Sequence, residues 1–444
     1  MSPASSGQPR PAVAYAHWLD SLTRVGWEAG PAVEQVPVAD ALGRVSAEPI
    51  VARWPSPRSD CSAMDGIAVL AARLAGPGGA ADSRAADGGV VDGGAVDGGA
   101  VRLPAGTFEW IDTGDPMPAD ADTVVMREWV LSQQDGSVTV TPATPALPRG
   151  KNVRRVGEDF AAGEVLVPAG RRLRPGDLAA AAAGGQAWLP VTRRPVVAII
   201  PTGDEIRPLG STARPGEILD TNSLMLAARC RQLGAAPALS EIQPDEPDAL
   251  AAEIRRCALD ADLVLVIAGS SRGRGDHAAA VLAQVGGVAV TGVAVRPGHP
   301  ALLGHAKHPG HTARPATSGR AGIAPVIGLP GYPLATTVIF ELFAAPLLAV
   351  LAGARPTTRP ARLAALDRDW SSPPGIEDWV LVTLAAAAHP GAQGGLPVAT
   401  PTRRGAGSIS QLARADAWWP IPADQTAFTA GTPIEVLPIL DAPC

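Results

Sequence analysis

Cysteine is sparse, basic residues are not in excess, and no leader pattern opens the chain. The four cysteines, Cys61, Cys230, Cys257 and Cys444, stand far apart. That spacing excludes a zinc knuckle or a close redox pair and fits incidental thiols in a reducing compartment. The formal net charge is −6. A protein that grips nucleic acid through phosphates carries a basic field, so no nucleic-acid partner is expected. No basic stretch followed by an apolar run marks a secretory signal. The most membrane-like stretch, 336–354, is broken by Glu341 and follows a loop rich in glycine and proline. It reads as the buried helix of a domain, so no membrane partner and a cytoplasmic location are expected.

Length and small residues are what the chain has in quantity. Its 444 residues, 46% of them hydrophobic, allow two to four domains with real cores. The 49 glycines and 45 prolines point to long loops. Residues 76–100 repeat Asp-Gly-Gly at Asp87, Asp92 and Asp97. Such a tract buries too little apolar surface to fold alone. Its five-residue spacing, with no closing glutamate, fits no calcium loop. A second insertion, 305–322, holds His305, His308 and His311 among prolines and glycines, and reads as a loop rather than a metal site.

Apolar periodicity divides the remainder. Trp18, Leu19, Leu22 and Val25 have helical spacing within 15–36. The segment 38–52, with its turn Leu42-Gly43-Arg44, reads as strand or edge structure. Short apolar runs at 123–126, 137–140 and 165–167 predict β-structure with tight turns. Apolar strands at 196–200 and 263–268 then alternate with helices at 223–233 and 248–259. Asp220, Thr221 or Asn222 would cap the first of these helices, and Gly234 would close it. Further strands are read near 292–295 and 325–327, and a helix from about 334. This alternation predicts a parallel sheet with helices on both faces. From 355 onward, short strands and turns with no helix of any length predict a small all-β domain.

Four strand-to-loop transitions carry the chemistry. They are Pro201-Thr202-Gly203-Asp204-Glu205, Gly269-Ser270-Ser271-Arg272-Gly273-Arg274-Gly275-Asp276, Arg296-Pro297-Gly298-His299-Pro300 and Gly328-Leu329-Pro330-Gly331-Tyr332-Pro333. In open α/β sheets ligands bind beyond the carboxyl ends of the strands. A glycine-rich turn that opens a helix presents N–H groups to an anion. Arg272, Arg274 and Arg296 would add positive charge, but Asp204, Glu205, Asp245 and Asp276 would repel an anion. A divalent metal bridging phosphate and carboxylate resolves the conflict. Bland readings stand beside this one: glycine loops that only turn the chain, Asp276 as a helix cap, Asp245 as a turn residue. A nicotinamide role fits poorly, because no Asp or Glu lies between His277 and Phe340 to hold a ribose. A Walker A loop is absent, since Asn152 follows Gly150-Lys151.

Together with SAMDG at 62–66, DTGDPMP at 112–118, VGEDF at 156–160 and DTNS at 220–223, these loops resemble the molybdopterin molybdenumtransferase family. The resemblance covers nearly the whole chain and suggests a divergent branch. It implies a multidomain α/β plus β fold. A domain with an N-terminal helix spans 1–57 and 146–190, with a β-rich domain inserted at 58–145. A three-layer α/β molybdopterin-binding domain occupies 191–353 and a small C-terminal β-barrel 354–444. It further implies a homodimer with its site between subunits. The implied reaction takes adenylylated molybdopterin and molybdate, or tungstate, and releases AMP and molybdenum cofactor with the help of Mg2+. Matched by motif, Asp65, Thr113, Asp159, Glu205, Asp245 and Asp276 take catalytic positions, with Glu205 and Asp276 on the metal. Gly203, Gly269, Ser270, Ser271, Arg296, His299, Gly328 and Pro330 match the positions that bind the pterin compound.

The chain departs from the family pattern where the oxyanion is held. The usual KPGKP is Arg296-Pro297-Gly298-His299-Pro300, GGVS is Gly269-Ser270-Ser271-Arg272, and the asparagine of GLPGNP is Tyr332. A serine often seen after it is Ala335, and an arginine near Trp379-Val380 is missing. Arginine is no lysine equivalent, and a histidine with an unperturbed pKa near ~6.5 is not assured of its charge. Two other readings therefore stand beside the enzyme: a non-catalytic molybdopterin carrier or regulator of the same fold, and an adenylyltransferase.

Overall fold

The apolar runs after residue 195 assemble one six-stranded sheet: β1 (Val196–Pro201), β2 (Ala236–Leu239), β3 (Leu263–Ala268), β4 (Gly286–Thr291), β5 (Leu302–Lys307) and β6 (Ile323–Pro330). In the computed structural model the described residues are 7–75, 100–141, 147–268, 275–307, 322–354, 360–386, 395–403, 405 and 407–439. For 95–97, 275 and 276 only the backbone is described. The order across the sheet is β2-β1-β3-β6-β5-β4. The first four strands run parallel, and β5 is antiparallel to both of its neighbours. The expectation of a wholly parallel sheet is thereby corrected. The segment between Thr291 and Leu302 holds no helix, so the chain turns back as a hairpin rather than crossing over. β1 and β3 are continuously apolar because both faces are covered. Val197, Ile199, Leu263 and Leu265 face one core, and Ala198, Ile200, Val264 and Val266 face the other.

The covering helices are α1 (Thr221–Gln232), α2 (Pro247–Cys257), α3 (Gly275–Val285) and α4 (Pro333–Ile339), which runs through a π turn at Phe340–Ala344 into Ala345–Leu351. Of the three capping candidates, Asp220 takes the role: its Oδ1 accepts from Ser223 N at 3.0 Å. Gly234, at φ +84°, ends the turn that follows. The helical stretch Pro333–Leu351 is long and apolar enough to cross a membrane by length and composition. Here Leu334, Val338, Phe340, Phe343 and Leu347 are buried in the domain's larger core. An N-terminal helix, Pro11–Arg24, joins that core through Ala14, Trp18 and Leu22. Trp18 is fully buried, and its indole Nε1 donates to the Gly304 carbonyl of β5 at 2.8 Å.

Upstream, Val33–Pro37 pairs antiparallel with Trp188–Thr192, so the chain leaves and returns to one small unit. Within the excursion Gly66–Val69 pairs with Glu109–Ile111 and Thr123–Met126. Val138–Val140 pairs with Ala100–Leu103 and Val130–Ser132. Segment 38–52 is less regular than expected: a 3-10 turn at Val38–Asp40 and a two-residue strand at Ile50–Val51. Downstream, Arg362–Leu366, Glu377–Ala385, Val398–Pro401, Ala417–Ile421 and Pro433–Pro438 close into a five-strand barrel. It carries one short helix, Ile409–Arg414, whose six residues are too few to show a period in the sequence.

Two local expectations are corrected. Val295–Arg296 is not a strand of the α/β sheet; it pairs with Glu377 and Asp378 of the barrel. His305 is not in a loop. It is buried in β5, where a Cβ on Gly287 would come within 2.6 Å of its ring, and burial lowers its pKa. His308 and His311 lie outside the described residues.

Trp18 joins the N-terminal helix to the sheet by both volume and one hydrogen bond. Trp18→Ala is expected to destabilise the α/β unit by about 3–5 kcal/mol, and Trp18→Phe by about 1–2 kcal/mol. Denaturant unfolding followed by circular dichroism measures both; an unshifted midpoint in Trp18→Ala would show that the helix is not docked.

Candidate functional site

The carboxyl ends of β1 and β3 open into a cavity of about 800 Å³. Topology explains the place. Parallel strands end level, and the loops leaving them must diverge to reach helices on opposite faces. The turn after β1, the cap of α1, the start of α2, His277 of α3 and Gly331–Pro333 supply its walls. Gly407 and Ile409 of the barrel complete it.

Local chemistry fixes each wall. Thr202 donates to the Ile267 carbonyl of β3 through both its N–H (3.1 Å) and its hydroxyl (2.9 Å). Gly203 has φ +134°, and a Cβ there would meet Glu205 Oε2 at 2.8 Å, so the turn requires glycine. Gly203 N donates to Gln243 O at 3.1 Å, and Asp204 Oδ1 accepts from Asp245 N at 3.2 Å. These bonds draw the loop before α2 against the turn after β1. Across the cavity Asn222 Nδ2 donates to Gly331 O at 2.7 Å.

The cavity is acidic. Glu205, Glu217, Asp220, Asp245 and Glu246 line it, with no lysine or arginine among the described lining residues. The Arg214 N–H at 2.8 Å, followed by Arg207, holds the Glu217 carboxyl below its ordinary range. The described lining by itself would repel an anion, whereas oxygen donors of this kind suit a hard divalent cation. Magnesium typically takes one or two carboxylates and fills its octahedron with phosphate oxygens and water. Among the described residues no group of three potential ligands stands together.

The expected residues divide into five sets. Gly203, Glu205 and Asp245 line the cavity. Gly269, Ser270 and Ser271 lie outside the described residues, as does the side chain of Asp276, whose backbone opens α3. Gly328 and Pro330 shape the site without lining it. A Cβ on Gly328 would press on Leu302 Cβ at 2.9 Å, and the Pro330 carbonyl accepts the Thr336 hydroxyl. Arg296 and His299 are exposed on the β4–β5 hairpin and are not among the lining residues. The hairpin does lie at the carboxyl end of β6, since Leu302 pairs with Gly328. His299 Nε2 sits 3.4 Å from Gln8 Nε2.

The upstream acids form a separate group. Asp65 Oδ1 accepts from both Thr113 Oγ1 and Thr113 N at 2.7 Å. The hydroxyl first and the amide second hold the Asp65 carboxyl below its ordinary range. Asp159 is exposed, its N–H bound to Ser56 O at 2.9 Å. None of the three lines the cavity. Sequence reasoning missed Glu217, which no motif marks, and also Gly407 and Ile409, which only the barrel's placement brings near. In the same part of the chain as Asp65, the Asp60 carboxylate accepts from Val156 N (2.8 Å) and Arg155 Nη1 (2.6 Å).

Both Thr113 donors favour the ionised Asp65, so its folded-state pKa is depressed. That contribution is present above the unfolded pKa and is lost as pH falls through the folded one. Thr113→Val is expected to move the Asp65 midpoint up toward the ordinary carboxylate value. A carboxyl-carbon NMR titration reads this directly; an unmoved midpoint would remove the hydroxyl from the account.

Comparison with known proteins adds three family matches. "MoeA N-terminal region (domain I and II)" matches residues 13–185, "Probable molybdopterin binding domain" 198–350 and "MoeA C-terminal region (domain IV)" 364–439. The chain is 32% identical over 416 residues to "Molybdopterin molybdenumtransferase 2" of Mycobacterium tuberculosis, covering 90% of this chain and 94% of the relative. It is 30% identical over 409 residues to "Molybdopterin molybdenumtransferase" of Bacillus subtilis, covering 91% and 89%. A crystal structure of a molybdopterin biosynthesis moea protein from Pyrococcus horikosii superposes with a TM-score of 0.74 at 27% identity, covering 97% of this chain and 99% of that one.

Proposed function

The chain belongs to the molybdopterin molybdenumtransferases, the transferases of molybdenum cofactor biosynthesis, and on that premise we propose that it takes adenylylated molybdopterin and molybdate, or tungstate, and releases AMP and molybdenum cofactor. The observation that carries the reading is the acid-lined cavity of about 800 Å³ at the carboxyl ends of β1 and β3. Its volume suits a ligand of nucleotide size.

In this reading Glu205 and Asp276 hold a divalent cation, Mg2+. That cation, when bound, neutralises the phosphate charge that the cavity's carboxylates would otherwise repel. Gly203 leaves Glu205 room to face the phosphate, because any side chain at 203 would meet its carboxylate. Asp204 and Asp245 lock two loops and so fix the cavity's mouth. Asp65, kept ionised by Thr113, can accept a hydrogen bond or a cation but cannot donate a proton at neutral pH.

Asp65, Thr113 and Asp159 do not line the cavity of their own chain. A site that uses both groups is therefore read as shared, in a homodimer of the cytoplasm, with these residues facing the partner's cavity. Mixing an Asp65→Ala chain with an Asp276→Ala chain is expected to restore part of the activity that each has lost. Mixtures as inactive as their components would place both groups in one chain or neither in the site.

One observation favours a carrier instead: Arg296 and His299, expected to hold the oxyanion, are exposed outside the cavity. Reconstitution with adenylylated molybdopterin, molybdate and magnesium separates the readings. The enzyme is expected to release AMP and form active cofactor in equal amounts, and Glu205→Gln to slow AMP release by about 100-fold. Tight pterin binding without AMP release would establish the carrier; AMP without cofactor would sink metal insertion.

A further inference from the structure

Tyr332 stands where two walls of the cavity meet. Its backbone is held on both sides: Asn222 Nδ2 binds the Gly331 carbonyl at 2.7 Å, and the Tyr332 carbonyl accepts Thr336 N at 2.9 Å. The residue nonetheless remains 56% exposed while lining the cavity. Its ring passes close to the barrel at a residue with no side chain, since a Cβ on Gly407 would come within 3.3 Å of Cδ1 and 3.6 Å of the next ring carbon. Among the described lining residues it is the one Phe, Tyr or Trp.

A rigid backbone that presents a wet aromatic face inside a cavity is prepared for a flat ligand. Stacking a heterocycle on such a face removes apolar area from water on both partners, and works for any ring with a π face. Carboxylates line the same cavity, Glu205 among them, and a carboxylate can accept N–H donors from the edge of a bound ring. We propose that Tyr332 is the stacking platform for the flat nitrogen heterocycle of the substrate, walled on its far side by the barrel of the same chain. The proposal rests on the function given above, whose substrate carries two such heterocycles, a pterin and an adenine.

The chain provides its own control. It has two tyrosines, and the other, Tyr15, is packed in the core against Trp18 and Phe343. Full-length protein labelled on tyrosine rings therefore gives two sets of ring signals, one in the cavity and one remote from it. AMP and a free pterin carboxylate are titrated separately, with affinity taken from the same titration. The expected result is a ring-current shift of the Tyr332 signals and none of the Tyr15 signals. The probe that produces it, AMP or pterin, identifies which ring stacks. Tyr332→Ala is expected to weaken that probe about 10-fold or more, with Tyr332→Phe within about 3-fold of the unaltered chain. The unchanged Tyr15 signals verify that the alanine variant is folded. If a probe binds but the Tyr332 signals stay still and Tyr332→Ala keeps full affinity, the stacking is overturned and the broader function stands. If neither probe binds the unaltered chain, the broader function falls and the stacking falls with it.

Discussion

The parallel pairing of β1 with β3 is the constraint on which the site depends. Their register runs from Val197 opposite Leu263 to Pro201 opposite Ile267. Thr202 extends it, giving two hydrogen bonds to the Ile267 carbonyl where the strand has already ended. With both strands buried on both faces, neither end can slide without exposing a row of aliphatic side chains. The loops that follow therefore start from fixed points. Gly203 can hold its unusual conformation, Glu205 can stay against it, and the loop through Asp245 can be fastened across the gap.

Charge then decides what the space can hold. Five carboxylates around one cavity are costly unless a cation or hydrogen-bond donors offset them. Part of that offset is internal: Asp220 binds the amide of Ser223, and Glu217 takes the Arg214 amide and the Arg207 guanidinium. Glu205 lines the same space from the turn after β1, and Asp245 from the loop before α2. The same separation of tasks holds upstream, where Thr113 satisfies Asp65 twice over and keeps it charged while it stays exposed.

Much of this was legible in the residues. Continuous apolar runs gave β1 and β3, the cap candidates Asp220, Thr221 and Asn222 with Gly234 bounded α1, and the glycine turn after β1 pointed to the cavity. Period and punctuation carry that information locally. What the sequence could not carry was pairing between distant segments. The two-residue strand Val295–Arg296 reads as apolar run and loop, yet its partner is the barrel at Glu377. Arg296 and His299, in and just after that pairing, are exposed and do not line the cavity. His305 read as one of three loop histidines because imidazole spacing is visible in a sequence and a hairpin register is not. Gly407 and Ile409 are some 200 residues from the turn they help enclose, and nothing in their neighbourhood marks them.

Glu341 shows how a residue that interrupts a pattern can be part of what holds the site. In the sequence it breaks an apolar run. In the fold its carboxylate lies on α4's π turn and takes Arg229 Nε of α1 at 2.6 Å, with side-chain exposures of 9% and 18%. At the other end of the same two helices Asn222 holds Gly331, and between them Thr337 Oγ1 donates to Met225 Sδ at 3.3 Å. α1 and α4 are thus fastened at both ends and in the middle. Both of their N-termini face the cavity, one bearing Asp220 and Asn222, the other Tyr332. The pair is part-buried, so removing one partner costs less than the ~3–5 kcal/mol of a fully buried pair, but it still leaves a charge uncompensated between the helices. The helices would then be free to part at the far end, and the wall that sets the distance from Tyr332 to the acids across the cavity would lose its support. The charge inside an apolar helix is therefore better explained by the rigidity of the cavity it never touches than by any chemistry of its own.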